Sequence, residues 1–403
     1  MSEKVAEAPA RFSVTHQQLT EAVKTLSIAV PGRPPVPVLG GIVTVAQGST
    51  LILRTYDYEV SAAVRLDAEP GGMGMSLLDH AELTKVLAAC VAGESPAAAR
   101  RTAVGVAGDV LSTPHLSMPL TLHPLAEYPA LPPAAPPLVT VDGPEWFRQV
   151  ARVLPATGTD DTLPNLCTVR LEVKEGALRM AACDRHRLAV AEVPAQKWDD
   201  DQEPDAVALV PSDVLKLISK RLGKYTGPIS VGVHASQDEK LITFTIGPVE
   251  LTVRGREGAF PGTNALLPSE APMTVEADRT AMVKAVKKAH ALTKAKGAKY
   301  LPVAIEFQPD GQMIISPTME DGAEQAKVKG VTVHARTVAG TDQLDGAPLG
   351  ANGSYLLDAL NAFAGDSVTL HIRSVSHPFL FTDGNAITGE GYRHVLATVR
   401  LQE

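Results

Sequence analysis

Three stretches of the chain repeat one pattern, and a repeat of this length restricts the fold to tandem copies of a single module. Each copy carries a proline-anchored strand opening: Val36-Pro37-Val38-Leu39-Gly40-Gly41-Ile42, Leu163-Pro164-Asn165-Leu166-Cys167-Thr168-Val169 and Tyr300-Leu301-Pro302-Val303-Ala304-Ile305. The three prolines stand 127 and 138 positions apart. An amphipathic helix is predicted before each opening, at 16–30, 144–154 and 279–296, from apolar residues at helical spacing such as Leu19, Val23 and Leu26 or Met282, Val286 and Ala289. A second helix with a polar cap is predicted in each copy, opening at Asp79-His80, Ser212-Asp213 and Asn352-Gly353. Alternating runs such as Leu51-Ile52-Leu53-Arg54, Leu178-Arg179-Met180-Ala181 and Ile229-Ser230-Val231 read as half-buried antiparallel strands. Proline-rich junctions, Leu131-Pro132-Pro133 and Leu267-Pro268 through Pro272, separate the copies.

The expected fold class is therefore α+β: three tandem domains at 11–133, 138–268 and 272–403, each with two helices on antiparallel sheets, after a disordered segment at 1–10. Length agrees, since 403 residues exceed what one core usually supports. The opening residues lack the apolar region of a secretory signal, and no run reaches the roughly 18 apolar residues of a membrane span. Cys90, Cys167 and Cys183 are odd in number and lack C-x-x-C spacing, so neither a disulfide framework nor a zinc site is expected. A reduced cytoplasm fits, with no membrane partner, metal or cofactor.

In this setting the phrases Arg33-Pro34-Pro35-Val36-Pro37-Val38-Leu39-Gly40-Gly41, Ala182-Cys183-Asp184-Arg185-His186-Arg187-Leu188-Ala189, Phe260-Pro261 and Val399-Arg400-Leu401 resemble the bacterial DNA sliding clamps, the beta subunits of DNA polymerase III, in order and over nearly the full length. The resemblance implies a head-to-tail homodimer, each chain a half-ring, with helices lining a hole for duplex DNA. It also implies partners: a clamp loader, the polymerase III catalytic subunit and other proteins with clamp-binding motifs. The role would be that of a processivity factor with no chemistry of its own. The alternative is a clamp-derived paralogue that binds clamp partners or a clamp-directed inhibitor without supporting replication.

Charge offers a separate test. The chain carries a net charge of −8, which by itself argues against a nucleic-acid partner. The predicted helices are nevertheless basic. Residues 279–299 hold seven Lys or Arg and no acid, Lys216, Lys220 and Lys224 recur every fourth residue beside Arg221, and Arg148 and Arg152 share that spacing. Candidate DNA contacts are Lys24, Arg33, Lys85, Arg148, Arg152, Lys216, Lys220, Arg221, Lys224, Lys284, Lys287 and Lys288. Taken singly, each reads more readily as an ordinary solvated residue; the set taken together points to DNA. Phosphate contacts of this kind are blind to sequence, as sliding requires. The helix at 352–363 has Asp358 and no base, so the lining is not uniform.

The resemblance also implies an apolar groove for partner peptides. Matching positions in the middle segment are Leu166, Cys183, Arg185, His186, Arg187, Leu188, Pro261, Ala265 and Leu266. Those in the last are Tyr300, Asn352, Tyr355, Val375, His377, Val395, Leu396, Ala397, Thr398, Val399, Arg400 and Leu401. His186 and Arg187 have a plain structural alternative, as a strand-end pair that satisfies local backbone groups. The pattern departs where Arg185 replaces glycine, Ala265 replaces arginine, and Ala397-Thr398-Val399 replaces a Met-Pro-Met run; Gln402 and Glu403 extend past the usual end. Lost methionines mean a less adaptable pocket. Pro119 in Met118-Pro119-Leu120 falls on the strand expected to close the ring, where it removes one ladder donor.

An enzyme reading finds little support. Asp184 and His186, placed on a strand, would project together and away from Cys183, and Gly223-Lys224-Tyr225 lacks the spacing and hydroxyl of a phosphate loop. No catalytic residue is assigned.

Overall fold

A computed structural model describes the chain except residues 1–7, 70, 175, 200–204, 237–238, 298–301, 309, 341–343, 345, 389–390 and 402–403. It is a mixed α+β structure in which antiparallel strands predominate. It divides into two compact units, residues 1–144 with 195–255, and 145–194 with 256–403.

In the first unit one antiparallel sheet runs in the order Met73–Asp79, Gly41–Gln47, Thr50–Tyr56, Val60–Asp67, Val249–Arg254, Lys240–Ile246, Pro228–Ala235 and Pro137–Asp142. A second sheet orders Arg11–Thr15, Ala103–Ala107, Val110–Ser112 and Ser117–Pro119, so the last of these is an edge strand. Val43, Val45, Ile52 and Leu77 share one face of the paired strands and gather with Val38, from the turn before them, into one core cluster. In the second unit the order is Thr168–Lys174, Ala177–Cys183, the strand beginning at Arg187, Arg393–Leu396, Phe379–Thr382, Ser367–Ile372 and Met273–Asp278. Val331–Ala339, Gln312–Pro317, Val303–Phe307 and Leu349–Ala351 continue it.

Among the described residues, six longer helices each follow directly on a strand or close to its end: α1 (His16–Leu26), α2 (His80–Ala89), α3 (Gly143–Val153), α4 (Ser212–Leu222), α5 (Arg279–Ala295) and α6 (Gly353–Asn361). Their starts show why the chain turns there. Thr15 and Gln18 form a reciprocal capping box at α1, which contributes about 1 kcal/mol. Asp79, Asp278 and Asn352 each accept backbone N–H groups at α2, α5 and α6. At α3 the chain needs glycine, because a Cβ on Gly143 would lie 2.3 Å from the Gly227 carbonyl oxygen.

Several expectations change in detail. Ser212 does not cap α4: Pro211 holds the cap position without a side-chain bond, and Ser212 is the first helical residue. Pro37 and Pro164 open short 3-10 turns, and the strands begin after them, at Gly41 and Thr168, because proline's fixed φ suits a first helical position. Lys224 lies beyond α4, which stops at the Gly223 cap, so it does not continue the row of Lys216 and Lys220 along the helix.

Candidate functional site

The basic residues fall into distinct groups. On α4 the buried face is Val214, Leu215 and Ile218, which leaves Lys216, Lys220 and Arg221 exposed on the other side. Arg221 donates to the Ser27 hydroxyl at 3.0 Å, tying the end of α4 to the end of α1. On α5, Met282, Ala285, Val286 and Ala289 are buried, so helical periodicity puts Lys284, Lys287 and Lys288 in solvent. Lys24 on α1, Lys85 on α2, Arg33 and Lys224 are exposed too.

Arg148 is exposed but engaged, its Nε donating to Glu145 at 2.8 Å. Arg152 is placed differently from the lysines. Only 11% of its side chain is exposed; it pairs with Asp383 at 3.1 Å and lies 4.0 Å over the Tyr392 ring and 5.5 Å from the Phe363 ring centre. Its guanidinium is engaged within the fold by one carboxylate and two aromatic rings.

Within the second unit the phrase around Cys183 forms a groove. Cys183 ends its strand buried with Ala181, Leu188, Val190, Leu380 and Val395, against Phe260, Leu267 and Ile387. Burial raises the Cys183 thiol, so it stays protonated and apolar at neutral pH. The chain then turns. Asp184 Oδ1 accepts the N–H groups of His186 and Arg187, both at 3.0 Å, and its Oδ2 accepts from Arg187 Nε at 2.8 Å. Asp184 and His186 therefore sit in a turn and not on a strand, which removes the face alternation expected for them. Arg185 at the tip has φ 77, the left-handed region that costs a residue with a Cβ on the order of 1 kcal/mol and glycine almost nothing.

Arg187 is nearly enclosed. Beyond Asp184 it donates to Asp358 on α6 at 2.6 Å and lies 4.1 Å from the Tyr355 ring centre, on which His186 is stacked at 6.1 Å. Two cavities meet here. One of about 250 Å³ is lined by Gly158, Asp160, Leu166, Arg185, His186, Arg187 and Tyr355; the other, of about 550 Å³, by Pro164, Leu166, Phe260 and Pro261. They share Leu163 and Leu166.

The structure thus brings Leu166, Arg185, His186, Arg187 and Tyr355 together around the smaller cavity and Leu166 and Pro261 around the apolar one, while Cys183, Leu188 and Val395 belong to the core cluster against which Phe260 packs. Other expected positions lie elsewhere. Leu396 is buried in the strand paired with Arg187, and Ala397 N–H donates to the His186 carbonyl at 2.7 Å. Thr398 is half-buried. Val399, Arg400 and Leu401 line a different, larger cavity of about 780 Å³ with Pro302, Ala304 and Glu306. Val375 and His377 stand on an exposed turn, Ala265 and Leu266 on an exposed short helix, and Asn352 is used as the α6 cap. Tyr300 lies outside the described residues. Asp160, Gly158 and Leu163 were not anticipated; the one cue was their place just before the Pro164 turn.

His394 is fully buried. Tyr392 donates its hydroxyl proton to the Arg152 carbonyl at 2.9 Å, so His394 Nδ1, 2.8 Å from the same oxygen, carries its own proton and donates it. Its Nε2 then has no hydrogen-bond partner, and burial, aided by the Arg187 charge, holds the imidazole down to about 3. Since the folded pKa lies below the unfolded value of about 6.5, this residue's contribution is complete above that pH and is lost as pH falls toward 3. Chemical denaturation at pH 7.5 and 4.5 is expected to show His394→Asn losing less stability on acidification than the native protein, by about 1.4 kcal/mol per pH unit below 6.5. Equal losses would remove His394 as the cause.

Among the described residues no group of three His, Cys, Asp or Glu could hold a metal ion, and no helix is long and apolar enough to cross a membrane.

A family model described as the DNA polymerase III beta subunit, N-terminal domain, matches residues 10–87, and one described as its central domain matches 140–262. The beta sliding clamp of Streptomyces coelicolor is 30% identical over 401 residues, covering 97% of this chain and 99% of that protein. A beta sliding clamp homolog from Streptomyces muensis, GriR, is 28% identical over 353 residues and covers 87% of each chain. The crystal structure of a DNA polymerase sliding clamp from Pseudomonas aeruginosa superposes with a TM-score of 0.80 at 22% identity, over 97% of this chain and 100% of that one. An antiparallel α+β architecture of this kind is the sliding-clamp fold. The chain belongs to the beta sliding clamp family, the beta subunits of DNA polymerase III.

Proposed function

We propose that this chain is a working sliding clamp: a non-catalytic processivity factor that closes around duplex DNA as a head-to-tail homodimer in the cytoplasm and tethers the replicative polymerase. The domains would be 11–133, 138–268 and 272–403. The observation that carries this reading is the pair of exposed lysine rows, Lys216 and Lys220 on α4 and Lys284, Lys287 and Lys288 on α5, in a chain whose net charge is −8. A basic lumen with an acidic exterior would draw the phosphate backbone inward and repel DNA elsewhere. Lys24, Lys85 and Arg33 add to it.

Ring closure would use the edge strand Ser117–Pro119, where Pro119 occupies the exposed last position and so costs an incoming strand a single donor. The groove around Leu166 would take short peptides of the polymerase, the clamp loader and other partners through a few buried apolar anchors. Light scattering together with primer extension on a primed circle tests the proposal. A dimer of about twice 42.4 kDa that lengthens the products made by its cognate polymerase and loader is expected. A monomer without effect on product length would refute it.

A second reading, a paralogue that binds clamp partners or a clamp-directed inhibitor without supporting replication, is favoured by the altered groove. Arg185 and Ala397-Thr398-Val399 depart from the family pattern, and a relative is named a clamp homolog. Under that reading the protein binds partner peptides while product length stays unchanged.

A further inference from the structure

We propose that Arg185 is a specificity-determining residue of the groove, which selects partner segments that carry a carboxylate next to an apolar anchor; this rests on the groove being the partner site. Position comes first. The turn fixed by Asp184 holds Arg185 at φ 77 and sets its side chain on the wall of the smaller cavity, beside the aromatic pair His186 and Tyr355.

The surrounding charges supply the second part. Arg187 is committed to Asp184 and Asp358. Asp160, facing Arg185, accepts from the Thr162 hydroxyl at 2.6 Å and the Thr162 N–H at 3.0 Å, which holds its carboxyl below the usual range. Arg185 approaches Asp160 only to 3.9 Å, and 62% of its side chain is exposed. That separation is long against the roughly 2.7–2.9 Å of a charge-assisted hydrogen bond, so the guanidinium keeps its donor fork open to a ligand.

The apolar cavity that shares Leu163 and Leu166 with the smaller one lies beside it. A segment that seats a large apolar side chain there and continues into the smaller cavity runs past Arg185. An extended chain advances roughly 3.3 Å per residue, so a carboxylate one or two residues from that anchor reaches the guanidinium. A lysine at the same place meets repulsion.

The test uses the full-length protein and labelled eight-residue peptides with a leucine and a phenylalanine anchor separated by Glu, Gln or Lys, read by fluorescence anisotropy. The Glu peptide is expected to bind about five- to tenfold tighter than the Gln peptide, a preference that weakens as salt rises. Arg185→Gly should bring the two within about twofold by weakening only the Glu peptide. An unchanged Glu-to-Gln ratio in Arg185→Gly, or tightest binding of the Lys peptide, overturns the proposal. Leu166→Glu separates the two levels. If it abolishes binding while Arg185→Gly leaves the ratio untouched, the groove stands and Arg185 fails; if it changes nothing, or no peptide binds, the groove itself fails and Arg185 with it.

Discussion

Neutralising the lysine rows should cost DNA binding far more than it costs stability. In a variant with Lys216, Lys220, Lys284, Lys287 and Lys288 changed to Gln, affinity for duplex DNA at moderate salt is expected to fall at least about tenfold, whatever the DNA sequence. The slope of log affinity against log salt should flatten by about 0.9 for each phosphate contact removed. All five side chains lie on exposed helix faces, so the folded state should be preserved, with surface changes of this type worth within about 0.5 kcal/mol each. Arg152→Gln serves as the contrast. It should destabilise the protein through loss of Asp383 and the Tyr392 ring, and it should leave the salt slope near its native value. Equal slopes in the native and five-lysine proteins would mean that DNA meets some other surface.

The largest effect on stability is expected at Arg187. Its side chain is 8% exposed and that of Asp184 9%, so Arg187→Met strands a buried carboxylate whose counter-charge has gone. Breaking one side of such a pair costs about 3–5 kcal/mol. Asp184 also anchors the turn through two backbone N–H groups, and Asp358 would lose its bond to the groove. Urea denaturation should show the loss in Arg187→Met, with Asp184→Asn added to it restoring part, because the double change removes the unpaired charge. Strictly additive losses would show that the pair is not coupled. Peptide affinity should fall in step, since Arg187 supports Tyr355 at the cavity wall.

Much of the fold was legible because its signals are local. A capping Asp79, a capping Asn352 and the glycine-proline start of α3 specify where helices begin within a few residues, and strand alternation specifies which face is buried. The errors were of two kinds. Some were local signals misread: Gly223 announces the end of α4 before Lys224, and Pro37 and Pro164 announce short turns instead of strand starts. Others could not be read locally at all. Arg152 meets Asp383 and Tyr392, both more than 230 positions away, and no spacing within α3 reveals them. The groove shows the same division. Leu166, Arg185 and Tyr355 followed from family resemblance, whereas Asp160 entered through a turn whose path depends on Gly158 N–H donating to the Leu166 carbonyl.

Topological retention is the most direct measurement. Labelled protein loaded by its clamp loader onto nicked circular DNA, then passed through a sizing column in high salt, should co-elute with the circles and separate from them once they are cut to linear form. Release from intact circles at the same rate as from linear molecules would contradict a closed ring around the duplex.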